Sequence, residues 1–352
     1  IAGYAAASGG TVTTTKFTAS AAGVTTDLDA SGTSTTAQSG KQVITFAIDP
    51  GNADNNMSFS VNGTTITGKL STNNTAGLKA RIADMATLAL MLRSYAPDAR
   101  YADRLVESFR RFNSEDLHLF CVVPTTDIPL FQHLGGTDVT VMGDEQFAPS
   151  FVDEHVHGLR PGYINQEIVK MAFWETGLAD NYFCVDSEAL FLRPFGFTDF
   201  MATDSVPYTV LVEDQELAVE PRYYREHWTT RQESIRRIHD EVGVEDRLLR
   251  TCHGHQVMSS RVLRSFKDDF LTPRSWTYAH ALRFEPLEFT WYNMWLQKSH
   301  VIPIHACEPL VKVFHHEGQH MEAILQGLSV EDLARGYVAV VVNSNFARTL
   351  PS

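Results

Sequence analysis

From Thr87 onward the chain alternates between two hydrophobic periods. Short continuous apolar runs, Thr87–Leu92, His118–Val123, Tyr182–Val185 and Val206–Val212, read as strands. The run at Tyr182 is β-branched and aromatic enough to be buried. Between the runs, Tyr101–Phe112 has helical spacing, with Leu105, Phe109 and Phe112 on one face. Ile164–Thr176 is amphipathic and meets a stop at Gly177, and Phe289–Leu296 is an aromatic-rich helix candidate. This alternation predicts an α/β layer fold. Ligands of open α/β sheets lie beyond the carboxyl ends of the strands, where strand order reverses. Chemistry is therefore expected just after Leu92, Val123 and Val185.

Residues 1–84 follow another pattern. Gln42–Ile48 reads as a strand ended by Asp49-Pro50-Gly51, and Ser58–Val61 and Thr64–Thr67 flank Asn62-Gly63, a type I′ hairpin signal. Thr75 suits the cap of a short helix running through Ile82. Ser, Thr, Ala, Gly and Asn dominate, with no His, Cys or Trp and with Lys/Arg balancing Asp/Glu. The expected division is a small β-rich module or linker over 1–84 and an α/β domain over 85–352.

All 14 His and the whole net charge of −13 belong to the second part. Such an acidic balance argues against a nucleic-acid partner. It does not exclude a phosphorylated substrate, since a metal can supply positive charge locally. No uninterrupted apolar stretch reaches the roughly 18 residues of a membrane span. Cys121, Cys184, Cys252 and Cys307 are widely spaced, so neither a disulfide nor a zinc-finger framework is called for. The first residue is Ile1 and no signal peptide is visible, which reads as a piece of a longer chain.

The densest chemistry is Asp186-Ser187-Glu188, between the apolar runs Tyr182–Val185 and Ala189–Leu192. Residues i and i+2 of an extended segment point the same way, so both carboxylates leave one strand end together. Adjacent carboxylates repel unless a cation or proton lies between them. Hard oxygen ligation of one Mg²⁺ or Mn²⁺ explains the pair, and two solvated acids on a turn is the plain alternative. Ser94, Tyr95 and Asp98, with Arg93 and Tyr101, suit a loop that holds a nucleobase, or an ordinary strand-to-helix turn. Gln166 and Lys170 share a helix face. Lys170 either reaches phosphates near the metal or pairs with Glu167 in solvent.

Strand, lysine-bearing helix, strand, Asp-x-Glu and then Phe191-Leu192-Arg193-Pro194 resemble the core of a nucleotide-sugar-dependent glycosyltransferase of the GT-A fold. The segments that carry the resemblance are Ser94-Tyr95 with Asp98, Pro124–Phe131, Asn165–Lys170, Asp186–Glu188, His253–His255 with Ser259–Arg261, Glu288–Tyr292 and Phe314–His316. A poorly characterised bacterial family shows the greatest similarity. The resemblance implies a Rossmann-like mixed sheet with helices on both faces. It also implies Mn²⁺ or Mg²⁺ held by Asp186, Glu188 and a later histidine, His315 or its neighbour His316, against a nucleoside diphosphate sugar. If the sugar inverts, the acceptor hydroxyl needs a base. Glu288 is favoured for that role, with Asp214 and Glu285 as further candidates. Separately, Phe59–Thr67 and Asn73–Ile82 resemble modules of the variable outer region of bacterial flagellins. That resemblance implies a flagellar or cell-surface setting, with filament subunits as possible partners and a protein or glycan acceptor. Without it the chain reads as cytoplasmic.

Two alternatives stay open. His316-Glu317-Gly318-Gln319-His320 matches the zinc peptidase pattern, with Glu317 as base. Gly318 weakens the helix that must present both ligands, and no His follows His320. The other alternative is a non-catalytic, surface-displayed carbohydrate-binding domain. His155 and His157, like His253 and His255, are further possible ligand pairs.

Overall fold

The computed structural model describes residues 86–212, 221–247, 250–251, 255–314 and 317–343, together with five strands between residues 17 and 69. The chain divides into two units, Ile1–Met85 and Ala86–Ser352. In the first, β1 (Phe17–Ala21) and β2 (Val24–Leu28) pair antiparallel. β3 (Ile44–Ile48), β4 (Asn56–Val61) and β5 (Thr64–Lys69) form an antiparallel meander in which Val61 faces Thr64 across Asn62-Gly63. The helix expected after Thr75 lies outside the described residues.

The second unit is a mixed α/β assembly. Its central sheet contains β6 (Ala89–Arg93), β7 (His118–Val123), β8 (Val139–Gly143), β9 (Asn181–Asp186) and a later strand, β14 (Val257–Ser259). Their spatial order is β14-β9-β6-β7-β8; β9, β6, β7 and β8 run parallel and β14 runs against β9. The sheet grows from β6 through β7 to β8 and then returns to place β9 on β6's other side. Strand order therefore reverses between β6 and β9.

Both faces of β6, β7 and β9 are covered, which is why these strands read as unbroken apolar runs. Leu90, Leu92, Cys121, Phe183 and Val185 point to one face. There they pack on Leu105, Val106 and Phe109 of α1 (Ala99–Phe112). Ala89, Met91, Val122, Tyr182 and Cys184 point to the other. That side is closed by Ile164, Ile168 and Met171 of α3 (Pro161–Ala172), α2 being the single turn Ile128–Phe131. Pro161 begins α3, where a missing N–H costs nothing. The predicted helix Ile164–Thr176 thus starts earlier, and its last residues form a tighter turn, Phe173–Thr176, closed by Gly177 at φ +67.

Beyond β9 come β10 (Ala189–Phe191), α4 (Phe197–Phe200), β11 (Met201–Thr203), β12 (Val206–Val212), α5 (Pro221–Val242) and β13 (Arg250–Thr251). After β14 follow α6 (Ser260–Ser265), α7 (Tyr278–Phe284) and α8 (Glu288–Ser299). The last elements are β15 (His305–Cys307), β16 (Val311–Phe314), α9 (Glu317–Leu325), α10 (Val330–Gly336) and β17 (Ala339–Val342). β10, β17 and β16 form a second sheet whose apolar side joins the α1 core. α8 is buried from Glu288 to Gln297, which accounts for its aromatic composition. Among the described residues no helix is long and apolar enough to cross a membrane.

Candidate functional site at the strand-order reversal

The register of β6 and β9 sets Arg93 beside Asp186, so both strands end at one level. Ser94 follows β6 and donates its N–H to Val122 O at 3.1 Å. Across the reversal, the Ser187 hydroxyl donates to Ser94 Oγ at 2.9 Å, both groups being buried. Arg93 is itself buried, and its guanidinium reaches Asp144 Oδ2 at 2.7 Å and Val122 O at 3.2 Å. Burial lowers the Arg93 pKa against the upward pull of Asp144. Asp144 stands just after β8 and also accepts from Thr125 N–H at 3.3 Å. The carboxyl ends of β6, β7 and β8 are thus tied together through one guanidinium and one carboxylate. In the sequence Arg93 suits either a nucleobase loop or an ordinary strand-to-helix turn, and nothing there marks Asp144 as its partner.

Lys170 is not a solvent-facing partner of Glu167. It is buried, with its ammonium 3.0 Å from Asp186 Oδ1, 3.2 Å from Glu288 Oε1 and 5.1 Å from the centre of the Phe289 ring. The Tyr182 hydroxyl donates to Lys170 O at 2.6 Å, pinning this end of α3 to β9. Burial opposes the lysine's charge, but Asp186 and Glu288 outweigh it and raise its pKa well above the ordinary value. Burial likewise pushes the Asp186 carboxyl up, yet Lys170 and His255 hold it below the usual range. Gln166 Nε2 stands 3.4 Å from Asp186 Oδ1. His255 is buried at φ +67, with Nε2 3.5 Å from Asp186 Oδ2. Burial and the nearby Lys170 charge lower its pKa, against Asp186.

The structure therefore gathers Lys170, Gln166, Asp186 and Glu288 from three elements, beside Ser94 at the end of β6. Glu288 is 8% exposed, not the exposed acid that its place on an aromatic helix allowed. Glu167, one turn before Lys170, is 2% exposed, with Tyr163 and Lys170 favouring its charged form. Burial first, and then the Glu288 charge, push its carboxyl well above the usual range. Tyr95 is extended and half-buried at the start of the turn Ala96–Asp98. Glu188 is half-buried in the turn between β9 and β10. Glu285 is buried and pairs with Arg237.

Asp214, His253, His315 and His316 lie outside the described residues. Among the described residues no group of three or more His, Cys, Asp or Glu comes together as a metal site. His320 lies on α9 and packs its ring 4.9 Å from that of Phe314. His157 Nε2 meets Arg283 O at 2.7 Å, and His155 is exposed. Cys121 and Cys184 are buried core residues, and burial pushes the Cys121 thiol up to about 12.

The second unit is thus a mixed α/β domain with its polar groups gathered at the carboxyl ends of parallel strands, beside a reversal of strand order. Residues 82–323 match the model of a family of unknown function, DUF6492, and the chain belongs to that family. No curated protein matches it.

Proposed function

We propose that the second unit is a GT-A-like glycosyltransferase that moves a sugar from a nucleotide-sugar donor to a glycan or protein acceptor with the help of Mn²⁺ or Mg²⁺. The observation that carries this reading is the Asp186-Ser187-Glu188 turn beside the β6–β9 reversal, with Lys170 reaching Asp186 from α3. Asp186 and Glu188 offer the oxygens a hard cation prefers. Buried His255, with Nε2 3.5 Å from Asp186 Oδ2, adds a nitrogen nearby. A further ligand would come from His315. When bound, the ion supplies positive charge against the departing diphosphate.

The chain's own residues do the rest. Ser94, Tyr95 and Asp98 line the end of β6, where a nucleoside would sit. Lys170 and Gln166 orient Asp186. Glu288 Oε1 is held by Lys170, which leaves Oε2 to take the acceptor proton; Asp214 is the other candidate base. On the same reading, residues 1–84 are a flagellin-like module that presents the domain on a flagellum or cell surface.

Calorimetric titration with UDP, GDP and CDP, with Mn²⁺ and with EDTA, tests the proposal. Metal-dependent binding of one nucleotide should vanish in Asp186→Ala and weaken at least tenfold, roughly 1.4 kcal/mol, in Glu188→Ala. Unchanged metal-dependent binding in both variants would overturn it. Glu317→Gln should leave nucleotide binding intact. Stoichiometric zinc with peptide cleavage that depends on Glu317 would put the peptidase in the transferase's place.

A further inference from the structure

A cavity of about 380 Å³ opens beside the carboxyl end of α3, and its walls share no residue with the site above. That volume lies within the range of small-molecule sites, roughly 300–1,000 Å³. One wall is aromatic. Trp276 is half-buried there, its ring centre 6.1 Å from Phe270 at 85° and 6.4 Å from Trp291 at 82°. Its backbone N–H donates to Leu271 O at 2.9 Å. The ring is fixed by its neighbours before any ligand arrives and keeps part of its surface open. A ligand stacking on it would pay little ordering entropy.

The charges in the walls cancel. Lys267 Nζ stands 2.9 Å from Glu175 Oε2, and the Tyr278 hydroxyl donates to Glu175 Oε1 at 2.8 Å. The ammonium is paired with one carboxylate oxygen and the hydroxyl with the other, so the wall carries no net charge to draw an anion or a cation. Gln146 and Ser150 add an amide and a hydroxyl. Such neutral groups both donate and accept hydrogen bonds. A ligand that suits an aromatic face with neutral hydrogen-bonding edges, and brings no charge, is a sugar ring with its apolar C–H face and equatorial hydroxyls.

We propose that this cavity is a carbohydrate-binding site for a neutral monosaccharide unit, separate from the crevice at the strand ends. The inference does not depend on the proposed transferase activity. Saturation-transfer-difference NMR on the full chain tests it, with methyl α-glucoside, N-acetylglucosamine and galactose as probes. At least one sugar should receive saturation at its ring protons. Trp276→Ala should weaken that binding roughly tenfold through loss of the stacking face. Because Trp276 also supports the aromatic core, Ser150→Trp provides the second arm. It fills the cavity from its rim, leaves Trp276 in place and should abolish the signal. Glu188→Ala, at the half-buried turn of the crevice, should leave the signal unchanged. Absence of transfer from all three sugars would refute the site. So would a signal that survives Ser150→Trp, or one lost only in Glu188→Ala, which would move the sugar to the crevice.

Discussion

Replacing Lys170 with Met takes away the cation that Asp186 Oδ1 and Glu288 Oε1 share at 3.0 and 3.2 Å. Breaking a buried ion pair from one side typically costs about 3–5 kcal/mol, because the partner charge is left uncompensated. Lys170→Met should therefore be strongly destabilised in urea unfolding. Adding Glu288→Gln should recover part of the loss, and strict additivity of the two changes would show that the contact is not made in solution. Glu167 yields a prediction of opposite sign. Its carboxyl binds a proton more tightly folded than unfolded, since burial and Glu288 raise its pKa. The folded state then holds more protons above the ordinary carboxylate range, so this group's contribution to stability falls as pH rises from about 4.3. Glu167→Gln should raise the melting temperature near neutral pH, by roughly 2–4 °C per kcal/mol gained, and flatten that decline. An equal or lower melting temperature at pH 7 would contradict it. The burial of neither residue was legible in the sequence, which offered Lys170 either as a group reaching phosphates near the metal or as the partner of Glu167 in solvent. What buries them is α8, whose Glu288 lies 118 residues beyond Lys170.

At the level of elements, α1 links the central sheet to the region after β10. Phe109 is fully buried, with its ring 6.2 Å from Phe191 and 6.1 Å from Phe195. Phe109→Ala should cost about 3–5 kcal/mol in chemical denaturation, the usual cost of such a cavity. A loss below about 1 kcal/mol would mean that the helix packs elsewhere. Phe109 was readable in advance because α1 repeats its apolar residues at helical spacing over a long stretch. β6, β7 and β9 were readable because a strand covered on both faces has no polar positions to interrupt it. Elements without such signals escaped. β8 is only partly buried along Val139–Gly143, β14 has three residues, and α5 is rich in charge. The acid pair at the end of β9 was visible as a motif. His255 stood out in the sequence as part of a family-like segment and of a possible ligand pair, but its place beside Asp186 did not, because β14 is too short to announce that it carries its neighbour there.

In the whole molecule, the reversal between β6 and β9 has a consequence for time. No two neighbouring parallel strands of the central sheet are joined by a hairpin, so each pairing closes a long loop before it is rewarded. β7 joins β6 through α1, whereas the Ser94–Ser187 contact spans 93 residues and Arg93–Asp144 spans 51. Helices form in microseconds, well ahead of such closures. A chain diluted from denaturant should therefore recover most of its helical circular dichroism before it recovers the near-ultraviolet signal of its packed aromatic core, with a measurable lag between the two signals. Simultaneous recovery would show that the sheet closes as fast as its helices form. During that lag the unpaired edges of β6 and β9 are open to strands from other chains. The yield of refolded protein should accordingly fall as its concentration rises, and the aggregates formed should carry β-sheet signal from the very strands whose ends carry the candidate site.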